Sequence, residues 1–216
     1  MTGSLSLIMM DITIIAIALP EIGKELSLSS EALHWVINAY IVVMASMVAF
    51  GGRVGDLIGK RTAFLVGISG FAGASLICGL ADSGGVLISA RIVQGMSAVL
   101  MQPASSSIVL SIAPAESRGK IMAVYVGIPL LFLTIGPVLG GVITEYVGWR
   151  WNFFLNLPVA LIAIALTVLS KVQSPRVEGD SIDPLATVLL IFSLPLLVIG
   201  LQQSTVWGYG DQRTLS

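Results

Sequence analysis

The sequence predicts an all-α membrane protein, built as a six-helix bundle with one additional transmembrane helix after it. Three observations predict it. Only 11% of the 216 residues are charged and 56% are hydrophobic, and the mean hydropathy is +0.96. The apolar residues gather into runs long enough to cross a bilayer, for which a helix needs about 20 residues. Those runs are continuously apolar and do not alternate, which excludes barrel strands.

In chain order, the runs place spans at Leu5–Ile22, Leu33–Gly52, Ala63–Ala81, Val86–Ile112, Ile121–Val147, Phe153–Lys171 and Leu185–Gln202. The connection from Glu21 to Glu31 is acidic and rich in serine, and reads as an external loop. The connection from Ser174 to Pro184 carries Pro, Gly and three acids. It divides residues 1–173, one bundle, from residues 185–216, the seventh span and its tail. Positive charge sets the orientation. Arg53, Lys60 and Arg61 follow span 2, Arg118 and Lys120 follow span 4, and Lys171 and Arg176 follow span 6. The opposite loops hold Lys24, Arg150 and Arg213. The positive-inside rule then places the N-terminus and the loops after even-numbered spans in the cytoplasm of a multi-pass protein of the cell membrane. A net charge of −1 offers nothing to nucleic acid.

Two ionisable side chains break the apolar pattern. Asp11 lies in the run from Leu5 to Pro20, and Arg91 in the run from Val86 to Ile112. A charge at the centre of a span costs roughly 2.5–3.5 kcal/mol on insertion scales. Such a residue serves a proton relay, a substrate path or a buried ion pair, and Arg91 has the further alternative of snorkelling to the interface. Asn38 and Tyr40 in span 2, with Gln94 and Gln102 in span 4, are candidates for lining a substrate cavity. The single cysteine, Cys78, reads as a small buried side chain, and His34 as a solvated one. No metal-ligand cluster, nucleotide loop or nucleophile–base pair is present in the sequence, so enzyme chemistry has no foothold and no cofactor is expected.

Three further stretches carry motifs. The loop after span 2 reads Gly52-Arg53-Val54-Gly55-Asp56-Leu57-Ile58-Gly59-Lys60-Arg61. Its glycines permit a tight turn, and Asp56 is placed to cap a helix or pair with a cation. On span 4, Arg91, Gly95, Ala98 and Gln102 share one helical face. On span 5, Gly136 and Gly140 form a Gly-x-x-x-Gly step that permits close helix contact, and Gly141 follows. Pro137 between them removes one backbone bond.

These motifs resemble the major facilitator superfamily. Gly52, Asp56 and Gly59 match its signature loop between spans 2 and 3, with Lys60 and Arg61 keeping the final positive charges. Leu57 departs from the usual arginine. Arg91, Gln94 and Gly95 match the span-4 pattern Arg-x-x-Gln-Gly, and Gly136-Pro137-x-x-Gly140-Gly141 matches the antiporter motif of span 5. Asp11-x-Thr13-Ile14 and Ala18-Leu19-Pro20 resemble the span-1 signature of the branch of 14-span drug:proton antiporters, with Ala16 where asparagine is usual. Trp149-Arg150-Trp151-Asn152-Phe153 and Asn156-Leu157-Pro158 are also similar to this branch, although an Arg beside interfacial Trp residues equally fits anchoring.

The resemblance implies the N-terminal bundle of a secondary transporter, a proton-coupled multidrug exporter working by alternating access. Asp11 and Arg91 would carry proton coupling, and the Asp56 loop would act as a conformational latch. Its partners would be a small-molecule substrate, protons, the lipid bilayer and a C-terminal bundle expected beyond Ser216. Exporters of one metabolite, such as an antibiotic or a siderophore, share the fold. An inert membrane fragment is the alternative from a different class.

Overall fold

A computed structural model describes residues 1–170, together with Ser193, Leu196 and Gly200. The expected linker at 174–184 lies outside the described residues, as does nearly all of the seventh span. Within residues 1–170 the chain forms α1 (Thr2–Glu25), α2 (Ser30–Ile58), α3 (Lys60–Gly79), α4 (Gly84–Ile112), α5 (Arg118–Tyr146), α6 (Arg150–Phe154) and α7 (Asn156–Leu169). A 3₁₀ turn at Ala115–Ser117 leads into α5. The helices supply six candidate membrane spans, α6 and α7 together making the sixth.

The helices overrun the apolar runs at several ends. The connection between α1 and α2, expected as an external loop, shrinks to residues 26–29, where the Ser29 side chain accepts from the Ala32 N–H at 3.2 Å and caps α2. The stretch Gly52–Ile58, expected as a loop, is the last two turns of α2. Only Gly59 separates α2 from α3. Its φ of 89° lies in the region that glycine enters without a Cβ penalty, so one residue reverses the chain. The sixth span is broken at Leu155. Pro158 has no N–H to offer the carbonyl of Phe154, and the helix restarts at Asn156.

Helix α4 packs along α2 and α3, α1 packs along α5, and α7 lies against α3 and α1. Small residues set these approaches. A Cβ on Gly95 would sit 2.9 Å from the Tyr40 carbonyl, so α4 meets the α2 backbone there. The apolar core divides into two principal clusters. Leu7, Ile8, Phe64, Phe71 and Met101 belong to one, and Ile15, Ala18, Val36, Leu87 and Trp149 to the other. Along α1, Asp11 falls between the two sets. Much of α5 carries exposed apolar side chains, among them Leu131, Val138 and Val142, as a lipid-embedded helix permits.

Candidate functional site

The layer between the two apolar clusters is polar and closed. Asp11, Arg91, Gln94, Ser75 and Asn156 are all at most 3% exposed. They come from α1, α4, α3 and α7, so four elements converge on one carboxylate. Arg91 Nη1 donates to Asp11 Oδ2 in a buried ion pair. Gln94 Nε2 and Asn156 Nδ2 donate to Asp11 Oδ1 at 3.1 and 3.2 Å. The same two amides donate to Ser75 Oγ, at 2.8 and 3.2 Å. Snorkelling is therefore not what Arg91 does.

Arg91 does not depend on Asp11 alone. Its Nε donates to the Val36 carbonyl at 3.0 Å and its Nη1 to Gln94 Oε1 at 2.7 Å. The guanidinium carbon lies 4.4 Å from the Tyr40 ring centroid, a cation–π distance. The cation is thus held by three groups that do not change charge when the carboxylate does. Cys78, buried as expected, places its Sγ 3.9 Å from Gln94 Oε1.

Of the four residues read as cavity lining, Gln94 and Tyr40 belong to this layer, Tyr40 with its hydroxyl buried and unpartnered. Asn38 and Gln102 are half-buried and sit apart from it. A cavity of about 390 Å³ opens instead between α2, α3 and α4, lined by Met47, Phe50, Val66, Val93, Met96 and Leu100 among others. The sequence reading passed over Ser75 and left Asn156 as part of a resemblance. The signal for Asn156 was present, since a polar amide inside an apolar span needs partners for the same reason as Asp11.

The other motifs surround this layer. On α5, a Cβ on Gly136 would overlap Thr13 Oγ1, and one on Gly140 would lie 2.9 Å from Ile14 Cα. These two glycines therefore seat α5 against α1 within one turn of Asp11. Gly141 faces more open space, where an added Cβ would lie 3.8 Å from Ile17 Cγ2, and Pro137 stays within the continuous helix. At the α2–α3 junction Asp56 pairs with Lys60 at 4.0 Å and does not cap α3. Arg61 Nη2 donates to the Thr167 and Val168 carbonyls at 3.2 and 3.0 Å. These are among the last carbonyls of α7, where a cation is favoured by the helix dipole. A Cβ on Gly52 would lie at an ordinary van der Waals distance, 3.7 Å, from Pro103 Cβ of α4.

At the other end of the bundle, Glu25 on α1 receives Trp149 Nε1 at 2.6 Å and pairs with Arg150. Arg150 Nη2 also donates to the Ala81 carbonyl at 2.9 Å. Trp149 is buried, while Trp151 is exposed.

Comparison with known proteins agrees with this architecture. A family model described as the Major Facilitator Superfamily matches residues 1–210. The chain is 34% identical over 211 residues to the tetracenomycin C resistance and export protein of Streptomyces glaucescens, covering 97% of this chain and 39% of that one. It is 40% identical over 160 residues to the puromycin resistance protein of Streptomyces alboniger, covering 73% of this chain and 32% of that one. The chain thus spans well under half the length of these relatives. A solved peptide transporter superposes with a TM-score of 0.72 at 14% identity, over 99% of this chain and 47% of that one, a likeness of fold. Members of this superfamily are multi-pass membrane transporters and not enzymes. On the family match and on the helical bundle together, the chain belongs to the Major Facilitator Superfamily.

Proposed function

We propose that this chain forms the N-terminal bundle of a drug exporter in which protons move inward as the drug moves out. The observation that carries the proposal is the Asp11 carboxylate, buried mid-span and contacted from α4 and α7 by three donors. A static ion pair needs only its counter-ion. Here the counter-ion Arg91 has its own carbonyl, amide and aromatic partners, so Asp11 can lose its charge without stranding Arg91.

The reaction is a proton transfer coupled to a change of access. Asp11 takes a proton from the outside, its O–H bond forming as a hydronium ion becomes water, and the ion pair to Arg91 is lost. The bundle then relaxes relative to a second bundle, and the proton leaves to the cytoplasm. A proton moving down the membrane potential supplies about 2.3 kcal/mol per 100 mV. Alternating access between paired bundles is the usual transporter solution. Coverage of well under half of each relative supports a second bundle as partner. The Asp56–Lys60 pair and the Arg61 grip on α7 support a latch at the cytoplasmic end, and the Lys/Arg distribution supports a cytoplasmic N-terminus. The two relatives are named for single antibiotics, which favours a second reading, export of one such compound, in the same mechanism.

The test is efflux from liposomes containing the full-length protein. An imposed proton gradient should drive drug against its concentration gradient. Asp11→Asn should insert and fold normally but lose uphill transport and its pH dependence. Normal proton-driven export by a well-folded Asp11→Asn variant would overturn the assignment. Export of one compound from a panel of antibiotics would select the second reading.

A further inference from the structure

We propose that Asn156 is the group that reads the protonation state of Asp11, by turning its amide over when the carboxyl takes a proton. The inference rests on the proton-carrying role proposed for Asp11 and names the positioning residue that role requires. Asn156 is 1% exposed. Its Nδ2 lies 3.2 Å from Asp11 Oδ1 and 3.2 Å from Ser75 Oγ. Its Oδ1 is buried and has no hydrogen-bond partner among the described residues. An unpaired buried acceptor is rare, and one placed on the same carboxamide that touches the titrating carboxylate has a chemical use.

An ionised carboxylate only accepts hydrogen bonds, whereas a protonated one carries an O–H donor. The groups facing Asp11 are poorly matched to that change. Arg91 on α4 is donor-only. Gln94 on α4 has its Oε1 occupied by Arg91 and close to Cys78 Sγ. Tyr40 on α2 faces Arg91 with its ring. On α3, Ser75 already receives both amides, and Cys78 lies against Gln94. Near Asp11, α5 meets α1 through Gly136 and Gly140. The titratable groups around the carboxyl are therefore Arg91, Tyr40 and Cys78. Tyr40 keeps an unpartnered hydroxyl, but among the described residues neither it nor Cys78 hydrogen-bonds Asp11.

Asn156 does. A half-turn about its terminal torsion exchanges Oδ1 with Nδ2, which puts the unpaired oxygen where the nitrogen now sits. It then accepts from the new Asp11 O–H, and the Ser75 hydroxyl can turn to donate to it as well. No bond changes except the O–H that forms on Asp11. The consequence is conformational. Asn156 is the first residue of α7, at the break before Pro158, so the protonation state of α1 is passed to the start of the sixth span.

The experiment is pH-difference infrared spectroscopy of the full-length protein in lipid nanodiscs, with asparagine carrying ¹³C at its side-chain carbonyl. Acidification should produce a carboxylic acid carbonyl band that is absent in Asp11→Asn. Together with it, a side-chain amide carbonyl band should shift as Oδ1 passes from unpaired to accepting. That second band should move with the ¹³C label and vanish in Asn156→Ser. An Asp11 band with no label-sensitive amide change overturns the role of Asn156 and leaves the proton-carrying reading standing. No Asp11 band from acidic to alkaline pH overturns both. The label reads the unsubstituted protein, so the result stands even where Asn156→Ser folds poorly.

Discussion

Two carboxylate–arginine pairs in this protein share one plan. In each, the guanidinium lies over an aromatic ring, Tyr40 at 4.4 Å for Arg91 and Trp149 at 4.3 Å for Arg150. In each, the arginine also donates to a backbone carbonyl of another helix or its end, Val36 for Arg91 and Ala81 for Arg150. Their surroundings are opposite. Asp11 and Arg91 have side chains 1% exposed, whereas Arg150 and Glu25 are 32% and 47% exposed. The same geometry therefore does different work. Water already solvates the Glu25–Arg150 pair, so it ties three chain ends together at little electrostatic gain. The Asp11–Arg91 pair is shut off from solvent, so its charges rely on protein partners alone.

The two members of the buried pair are not equivalent. A carboxyl that loses its partner can take up a proton, while a guanidinium stays charged at any accessible pH. Asp11→Leu should therefore be the most damaging change, costing about 3–5 kcal/mol, because Arg91, Gln94 and Asn156 lose their acceptor oxygens together and an apolar side chain is set beside the cation. Arg91→Leu should cost clearly less. The double variant should unfold at a higher temperature than Asp11→Leu alone, because it removes both charges. Thermal unfolding of the purified protein in detergent measures all three. Equal losses for the two single variants would show that the pair does not depend on which charge can be neutralised.

The next effect tests how closely the buried pair relies on its seat. Gly136→Ala drives a methyl into Thr13 Oγ1, and Gly140→Ala brings one to 2.9 Å from Ile14 Cα. Each should push α5 off α1 and cost about 1–3 kcal/mol, the usual range for overpacking. Gly141→Ala meets only Ile17 Cγ2 at 3.8 Å and should stay within about 0.5 kcal/mol of the parent. Equal stability of all three variants would show that α1 and α5 can slide apart without consequence.

The buried pair was legible as two expensive charges that each needed a reason, and the structure supplies it by placing them together. What surrounds the pair was less legible. Ser75 carries no pattern that separates it from any other serine in an apolar span. Asn156 was visible as a polar residue in span 6, but its partner lies 145 residues earlier in the chain. The Glu25–Arg150 pair was illegible for a related reason. Tryptophan beside arginine fits an interfacial anchor, and only the fold shows that Glu25, 124 residues earlier, takes up the Trp149 N–H. Gly52–Ile58 was read as a loop because glycine and charge end apolar runs, yet both are tolerated in the last turns of a helix leaving the membrane. Hydropathy locates lipid contact, and helices do not stop where lipid stops.

A smaller effect is expected at the Glu25–Arg150 pair. Glu25→Gln keeps an acceptor for Trp149 Nε1 and removes the charge opposite Arg150. Being partly solvated, the pair should be worth about 0–1 kcal/mol. That difference should fade in 1 M salt, where the screening length falls to about 3 Å. The difference between parent and Arg91→Leu should barely change with salt, because buried pairs are screened much less. Unfolding curves at low and high salt would separate the two, and a salt-insensitive Glu25→Gln effect would mean that this pair is closed to water like the other.

The smallest effect concerns the aromatic floor beneath Arg91. The Tyr40 ring contributes through its face, and its hydroxyl is buried without a partner among the described residues. Tyr40→Phe keeps the face and removes the oxygen. An unpaired buried polar atom costs free energy, so its deletion should be neutral or stabilising by up to about 1 kcal/mol. Trp149 is the counterpart at the Glu25–Arg150 pair, where the polar atom is used. Trp149→Phe keeps a ring near Arg150 but loses the 2.6 Å bond to Glu25 and part of a fully buried side chain, so it should destabilise. The two substitutions each trade a polar aromatic for phenylalanine under an arginine, and they should move the unfolding temperature in different directions or by different amounts. A loss of more than about 1 kcal/mol in Tyr40→Phe would show that the hydroxyl has a partner when Arg91 and Asp11 are in place, and would move Tyr40 from the floor of the site into its hydrogen-bonded network.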